Sequence, residues 1–403
     1  MVDPPLRIGF LTSEYPTQGY TGGIGSYVRQ MAQSLVELGH FPVVLLSVPS
    51  NDGLIWDGSI PIHRICVSGL ASRMPWPLGR GASVVFARAL ARLANDLDLN
   101  VLEAPEWGGL TAFLNLVKPK KLRVIVRLHT CSAIIREVNK SRPTSMRDRL
   151  NSYRSDFVER RAILTADAVT AVSKAIGEET KKALGLSSPT FDVVPNSVND
   201  SAFSAEDVKA ADTPIVLFVG RLEWRKGPDL LIRAIPSILE RYPNVRFRFA
   251  GMDTLTGPGS RSMKSYLEGL LSDEARTKVH FAGHLAPAEV EVALQQATVC
   301  VFPSRYEGLP MVCLEAMARG KPIVTTDLPG FCELISDGEN GMVVRGEDPQ
   351  SLASAIAKLI ADGSLRAKLG NAARESAHSH FRAAEVAKSM LRVYRAPTTV
   401  KAQ

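Results

Sequence analysis

Twice along this chain, short apolar runs alternate with amphipathic stretches, and that rhythm restricts the fold more than any other feature. From Arg7 the runs fall at residues 8–11, 43–48, 100–103, 123–128, 168–171 and 191–194, with a helix-period segment over about residues 26–38 between the first two. Short, largely apolar runs separated by helical segments are what a parallel sheet buried on both faces needs, because each parallel crossover lays a helix across the sheet. Pro195-Asn196-Ser197-Val198-Asn199 breaks the pattern, and a polar, acid-rich stretch runs from Ser201 to Thr213. The rhythm restarts at residues 214–220 and recurs at 245–250, 279–282, 299–303 and 323–325. A chain of 403 residues also exceeds the size at which one core keeps growing. The prediction is an α/β protein with two Rossmann-like, doubly wound parallel-sheet domains. They span residues 1–200 and 201–380, and a helical tail at 381–403 (Val386, Met390, Leu391, Tyr394 on one face) packs back on the first.

Charge and cysteine usage exclude several classes. The net charge is +7, with one cluster at Lys118, Lys120, Lys121 and Arg123 and a second threaded from Arg136 through Lys140, Arg142, Arg147, Arg149, Arg154, Arg160 and Arg161. Such a face suits an anionic acceptor or peripheral contact with the inner membrane face, whereas nucleic acid is not expected because few aromatics are interleaved and no binding motif occurs. No run approaches the ~18 apolar residues of a spanning helix, and the first residues lack a basic-then-apolar leader, so a cytoplasmic protein is expected. Cys66, Cys131, Cys300, Cys313 and Cys332 form no C-x-x-C pair and read as buried thiols.

Thr21-Gly22-Gly23-Ile24-Gly25-Ser26, between the first strand and its helix, allows close approach of backbone to a phosphate at a helix N-terminus. It is not a dinucleotide fingerprint. Val28 stands where the third glycine belongs, the next strand ends without an acid, and no Walker-A lysine pattern occurs.

The second half carries the sharper chemistry. Gly220-Arg221-Leu222-Glu223-Trp224-Arg225-Lys226-Gly227 places cations just beyond a strand's carboxyl end, where open α/β sheets bind ligands. Arg221 can grip a phosphate bidentately and Lys226 acts as a point charge. Further on, Glu307-Gly308-Leu309-Pro310-Met311 opens a helix that carries Glu315. Pro310 suits the first helical turn, and the amides of Gly308, Leu309 and Met311 with the helix dipole suit an anion. At about 1.5 Å per residue, Glu315 stands roughly 7 to 9 Å along the helix from the loop that carries Glu307. A phosphate flanked by two hydroxyl acceptors describes a nucleotide-diphosphate sugar, with Glu315 on ribose and Glu307 on the sugar.

The segment EGLPMVCLEAMARGKPIV, with the earlier G-R-L…K-G, resembles the E-x7-E signature of retaining GT-B glycosyltransferases of family 4. That resemblance covers nearly the whole chain and implies two domains facing across a cleft, acceptor on the first and donor on the second. It implies that Arg221 and Lys226 bind the diphosphate and offset its growing charge, and that His129, at the end of its strand, hydrogen-bonds the donor sugar rather than acting as a base. Gly22 and Gly23 join the donor set, Glu106 is an acceptor candidate, and Glu333 supports the donor site. The implied reaction retains anomeric configuration, on a glycan, lipid-linked or small-molecule acceptor, in cell-surface polysaccharide or glycoconjugate synthesis. No cofactor is expected. Asp96-Leu97-Asp98 spells the D-x-D metal signature of the other large glycosyltransferase fold, but here it ends an amphipathic helix; cationic side chains and helix N-termini can take the metal's part. Two alternatives stay open, a GT-B-like epimerase or phosphorylase and a non-catalytic sugar-nucleotide-binding protein.

Overall fold

The computed structural model describes residues 4–16, 22–48, 53–66, 84–139, 145–204 and 213–397; Thr21, Lys140 and Arg142 lie outside them. The chain forms two compact units, Met1–Ser197 with Ala383–Gln403, and Val198–Arg382.

In the first unit eight strands form one sheet: β1 Arg7–Thr12, β2 Phe41–Val48, β3 Gly53–Asp57, β4 Ile60–Cys66, β5 Val101–Pro105, β6 Arg123–Leu128, β7 Ala168–Ala171 and β8 Asp192–Val193. Their order is β3-β4-β2-β1-β5-β6-β7-β8, parallel throughout except for β3 against β4. No apolar run marks β3 or β4, for a physical reason. β4 (IPIHRIC) alternates apolar and polar, and β3 is a half-exposed edge, so neither needs the unbroken apolar run of a central strand. The D-x-D sequence does terminate a helix, Val84–Asp96, and Asp98 follows in left-handed backbone (φ 52°), ion-paired to Lys121.

The helices Gly23–Glu37 and Ala383–Arg395 cover one face of this sheet, packing Tyr27, Met31 and Leu35 with Val386, Met390 and Tyr394 over Ile8, Phe10 and Val44. A buried charge is threaded through that layer. Arg127 is fully buried, donates to the carbonyls of Val194 (2.9 Å) and Pro195 (3.0 Å), and lies 4.1 Å over the Tyr27 ring. Glu103, also buried, accepts from the Tyr27 hydroxyl (2.8 Å) and the Tyr394 hydroxyl. Burial raises the Glu103 carboxyl above its ordinary range, with Arg127 and the two hydroxyls opposing. These bonds satisfy most of the polar atoms that would otherwise be costly inside, though among the described residues the Arg127 Nε has no hydrogen-bond partner.

The second unit has six strands: β9 Ile215–Val219, β10 Arg246–Ala250, β11 Val279–Gly283, β12 Val299–Phe302, β13 Ile323–Thr326 and β14 Met342–Val344. The sheet is parallel, in the order β11-β10-β9-β12-β13-β14. Its core gathers Phe218, Phe247, Phe249, Ile235 and Ile356. The unit's two ends lie together: Val198 donates to the Phe381 carbonyl (2.8 Å), and Arg382 pairs with Asp200 (2.7 Å).

The thiols are less uniform than expected. Cys131, Cys300 and Cys313 are buried, and burial pushes Cys131 and Cys300 up to about 12, but Cys66 is half-buried and Cys332 exposed. Cys332 ends the short helix Pro329–Cys332, in which Phe331 takes the inward position.

Candidate functional site

Strand order fixes where the second unit can bind a ligand. β9 has β10 on one side and β12 on the other, so the chain leaves β9 and β12 in opposite directions and their following loops meet at the carboxyl edge of the sheet. The first loop turns at Gly220 (φ 155°), packed so tightly on Gly251 that a Cβ on Gly251 would stand 1.8 Å from the Gly220 carbonyl. Gly227 (φ 64°) ends it.

Between these glycines the cations assemble around two glutamates. Arg221, partly exposed, reaches Glu223 at 3.0 Å, and Arg225 joins Glu223 (2.8 Å) to Glu307 (3.3 Å). Lys226 pairs directly with Glu307, which also accepts from the Ser304 hydroxyl at 3.0 Å. Burial by itself would raise the Glu307 carboxyl, but Lys226 and Arg225 outweigh it and hold the group below its ordinary range. Lys226 is pushed down by burial, with Glu307 opposing. Three cations against two carboxylates leave the cluster with a net charge of +1, a demand that an anion can meet.

Arg221, Lys226 and Glu307 are thus brought together as the sequence suggests, while Arg225, Glu223, Ser304 and Arg305 are additions. Arg305 staples the two loops: it holds Asp229 through both oxygens (2.7 and 2.9 Å), donates to the Trp224 carbonyl (2.8 Å) and stacks 3.8 Å from the Trp224 ring. The signal for Arg225 was its place beside Lys226. Nothing local announces Arg305, whose partner lies 76 residues away.

The Glu307–Pro310 segment is buried, and its carbonyls face Gly330, where a Cβ would stand 2.4 Å from both the Glu307 and Gly308 oxygens. Pro310 differs from expectation. Its backbone is extended (ψ 119°), so it is the N-cap and the helix Met311–Ala318 starts one residue later; its carbonyl accepts from the Leu314 amide at 3.3 Å. Leu309 and Met311 are buried beside it. Glu315 sits half-buried on this helix, outside the hydrogen bonds of the cation cluster. Burial raises its carboxyl to about 7, opposed by Arg319 and supported by Glu291. Arg319 is itself engaged with Glu291 (3.2 Å) and the Glu315 carbonyl (3.0 Å), which leaves the Glu315 carboxyl available for hydroxyls.

In the first unit, Gly22 is the N-cap of Gly23–Glu37, and its amide donates to Glu14 at 3.0 Å; a Cβ there would meet the Glu14 carboxylate at 2.5 Å. His129 follows β6, its ring edge-on to Tyr27 at 5.6 Å. Burial and then Arg127 pull its pKa well below the ordinary value, so the imidazole is neutral at pH 7 and suited to hydrogen bonding. Glu106 has a different place from the acceptor-facing one expected. It is fully buried, both oxygens accept from the His129 amide at 2.9 Å, and burial, opposed by that amide and reinforced by Glu159, lifts it to about 8. Its carboxyl therefore anchors the His129 backbone. Among the described residues no group of three metal-binding side chains gathers.

Two family models match the chain: "Glycosyltransferase Family 4" over residues 21–202 and "Glycosyl transferases group 1" over residues 200–376. A glycosyltransferase of Methanocaldococcus jannaschii is 26% identical over 97% of this chain and 98% of its own length. An alpha-maltose-1-phosphate synthase of Mycolicibacterium smegmatis is 28% identical over 97% and 99%. In fold, an Anabaena protein solved in complex with UDP-glucose superposes with a TM-score of 0.70 at 20% identity, over 96% of this chain and 99% of that one.

Proposed function

The chain belongs to the glycosyltransferases of family 4, and from that premise we propose that it moves a sugar from a nucleotide-diphosphate sugar to an acceptor hydroxyl with retention of anomeric configuration. The observation that carries this reading is the cluster of Arg221, Arg225 and Lys226 on Glu223 and Glu307 at the carboxyl edge between β9 and β12. A diphosphate arriving there competes with Glu307 for Lys226, and the released Glu307 accepts sugar hydroxyls. Glu315 takes the ribose hydroxyls.

The bond from the anomeric carbon to the diphosphate oxygen breaks as the acceptor oxygen bonds to that carbon on the same face, and the acceptor proton passes to the departing phosphate oxygen. Arg221 and Lys226 stabilise the charge growing on the diphosphate, in a site already arranged for it. No metal is needed for that stabilisation. Neutral His129 serves as a hydrogen-bond partner of the sugar. The acceptor is a glycan, a lipid-linked saccharide or a small metabolite, in surface polysaccharide or glycoconjugate synthesis, and the basic N-terminal unit makes peripheral contact with the inner membrane face. Among the described residues no helix is long and apolar enough to cross a membrane.

The test is turnover by Arg221→Ala and Lys226→Ala, each expected to fall by orders of magnitude with the unfolding midpoint of Arg221→Ala unchanged. Wild-type rates in either would refute the assignment. Product analysis with donor alone, with acceptor and with inorganic phosphate separates transfer from epimerisation and phosphorolysis.

A further inference from the structure

We propose that the outward face of the helix Met146–Thr165 docks on an anionic lipid bilayer surface. The residues Met146, Leu150, Tyr153 and Phe157 follow one another at intervals of four, three and four, which places them in a single stripe along a helix of 3.6 residues per turn. Met146 is 81% exposed, Tyr153 70% and Phe157 43%. The opposite face is fixed inward: Ala162 and Ile163 are buried, and buried Glu159 accepts from the Gly108 amide (3.1 Å) and the Ser132 amide (2.9 Å). The stripe therefore cannot roll into the core. Single exposed apolar residues need no explanation, but three aligned on one helix, with half-buried Leu150 between them, do.

Charge selects the partner. Arg147 and Arg149 lie to either side of the stripe, both exposed, and neither pairs with a carboxylate among the described residues. The acids of this helix are engaged elsewhere: Asp148 closes the capping box with Ser145, Asp156 is held by Arg136 at 2.5 Å, and Glu159 points inward. In the other basic cluster two of the four cations are paired, Lys118 with Asp167 and Lys121 with Asp98. An exposed apolar stripe bordered by two exposed arginines matches the headgroup and acyl boundary of a bilayer, where the stripe enters the apolar layer and the guanidinium groups stay among phosphates. The helix is already folded, so docking orders side chains but no backbone. This surface gives a location to the peripheral membrane contact proposed above and rests on that reading for its partner.

Co-sedimentation with vesicles tests it, using phosphatidylcholine alone and phosphatidylcholine with about a third phosphatidylglycerol. The wild-type protein is expected on the anionic vesicles only, less so as salt rises. Arg147→Gln with Arg149→Gln should weaken that binding about 30-fold, roughly fivefold per cation, and Tyr153→Ser with Phe157→Ser should weaken it at least tenfold by removing the inserted area. Both variants should keep the wild-type unfolding midpoint and donor affinity. Wild-type binding that neither variant alters would overturn the surface assigned here and leave peripheral contact standing, whereas a wild type that ignores anionic vesicles overturns both. Concentration-dependent self-association that Tyr153→Ser with Phe157→Ser dissolves would mark the stripe as a contact between copies and likewise overturn the proposal.

Discussion

With its carboxyl lifted to about 7, Glu315 makes donor affinity a function of pH. The ionised carboxylate accepts from two ribose hydroxyls through two charged oxygens, whereas the protonated acid turns one oxygen into a donor and keeps only a neutral carbonyl as a good acceptor, so its hold on the ribose is much weaker. In the free protein about half of Glu315 is ionised at pH 7, about one molecule in eleven at pH 6 and about one in a hundred at pH 5. Binding favours the ionised form, so affinity is complete above about pH 8 and falls as pH drops, Kd rising about tenfold per unit below 7. Titration calorimetry between about pH 5.5 and 8.5 measures this, with an intact nucleotide sugar as ligand, because a free terminal phosphate would add its own ionisation near pH 6. Glu315→Gln offers a neutral acceptor in place of a charged one, a loss of about 1.5 to 3 kcal/mol, or roughly 10- to 150-fold in Kd at pH 8. Its Kd should be flat across the range. A wild-type Kd that does not change below pH 7, or a Gln variant that keeps the wild-type slope, would refute the assignment of Glu315 to the ribose.

Three further outcomes follow from the packing. Gly330→Ala puts a methyl 2.4 Å from two carbonyls of the loop that carries Glu307, so stability should fall by about 1 to 3 kcal/mol and turnover with it, as calorimetry and initial rates would show. Tyr394→Phe removes a donor from buried Glu103 and should cost about 1 to 3 kcal/mol in urea unfolding; an unchanged midpoint would mean that the hydroxyl carries nothing. Glu106 in the unfolded chain loses its proton near the ordinary 4.5, yet in the fold keeps it to about 8, so its protonated form is bound more tightly by the folded state and stability declines as pH rises between those values. Glu106→Gln should reduce that decline, by up to about 1.4 kcal/mol per pH unit, in denaturant titrations at pH 5 to 8.

Most central strands were legible because they are apolar on both faces, which leaves runs such as Ile215–Val219 and Val299–Phe302; β5 and β6 stood out despite one buried charge each, Glu103 and Arg127. A strand at or beside an edge escapes that rule, as β3 at the edge and β4 next to it did. Arg221, Lys226 and Glu307 could be joined in advance because each follows a strand end, and strand order alone brings the two loops together. The roles of Arg305, Ser304 and Gly330 depend on contacts across long stretches of sequence, for which no local pattern exists. Glu106 looked open to an acceptor because it lies just after a strand end. Its inward turn is set by the His129 amide, a partner in the next loop. Pro310 was one position out because a proline without a donor serves equally at the N-cap and in the first turn.

The first unit is closed by the helix Ala383–Arg395, which is synthesised after the whole of the second. On the ribosome, Glu103 and Arg127 wait without Tyr394 and Met390 while residues 198–382 are made and fold. A chain truncated before Ala383 therefore holds every residue of the C-terminal unit and an N-terminal unit with a bare apolar flank. That half-built molecule is the species on which chaperones and proteases would act.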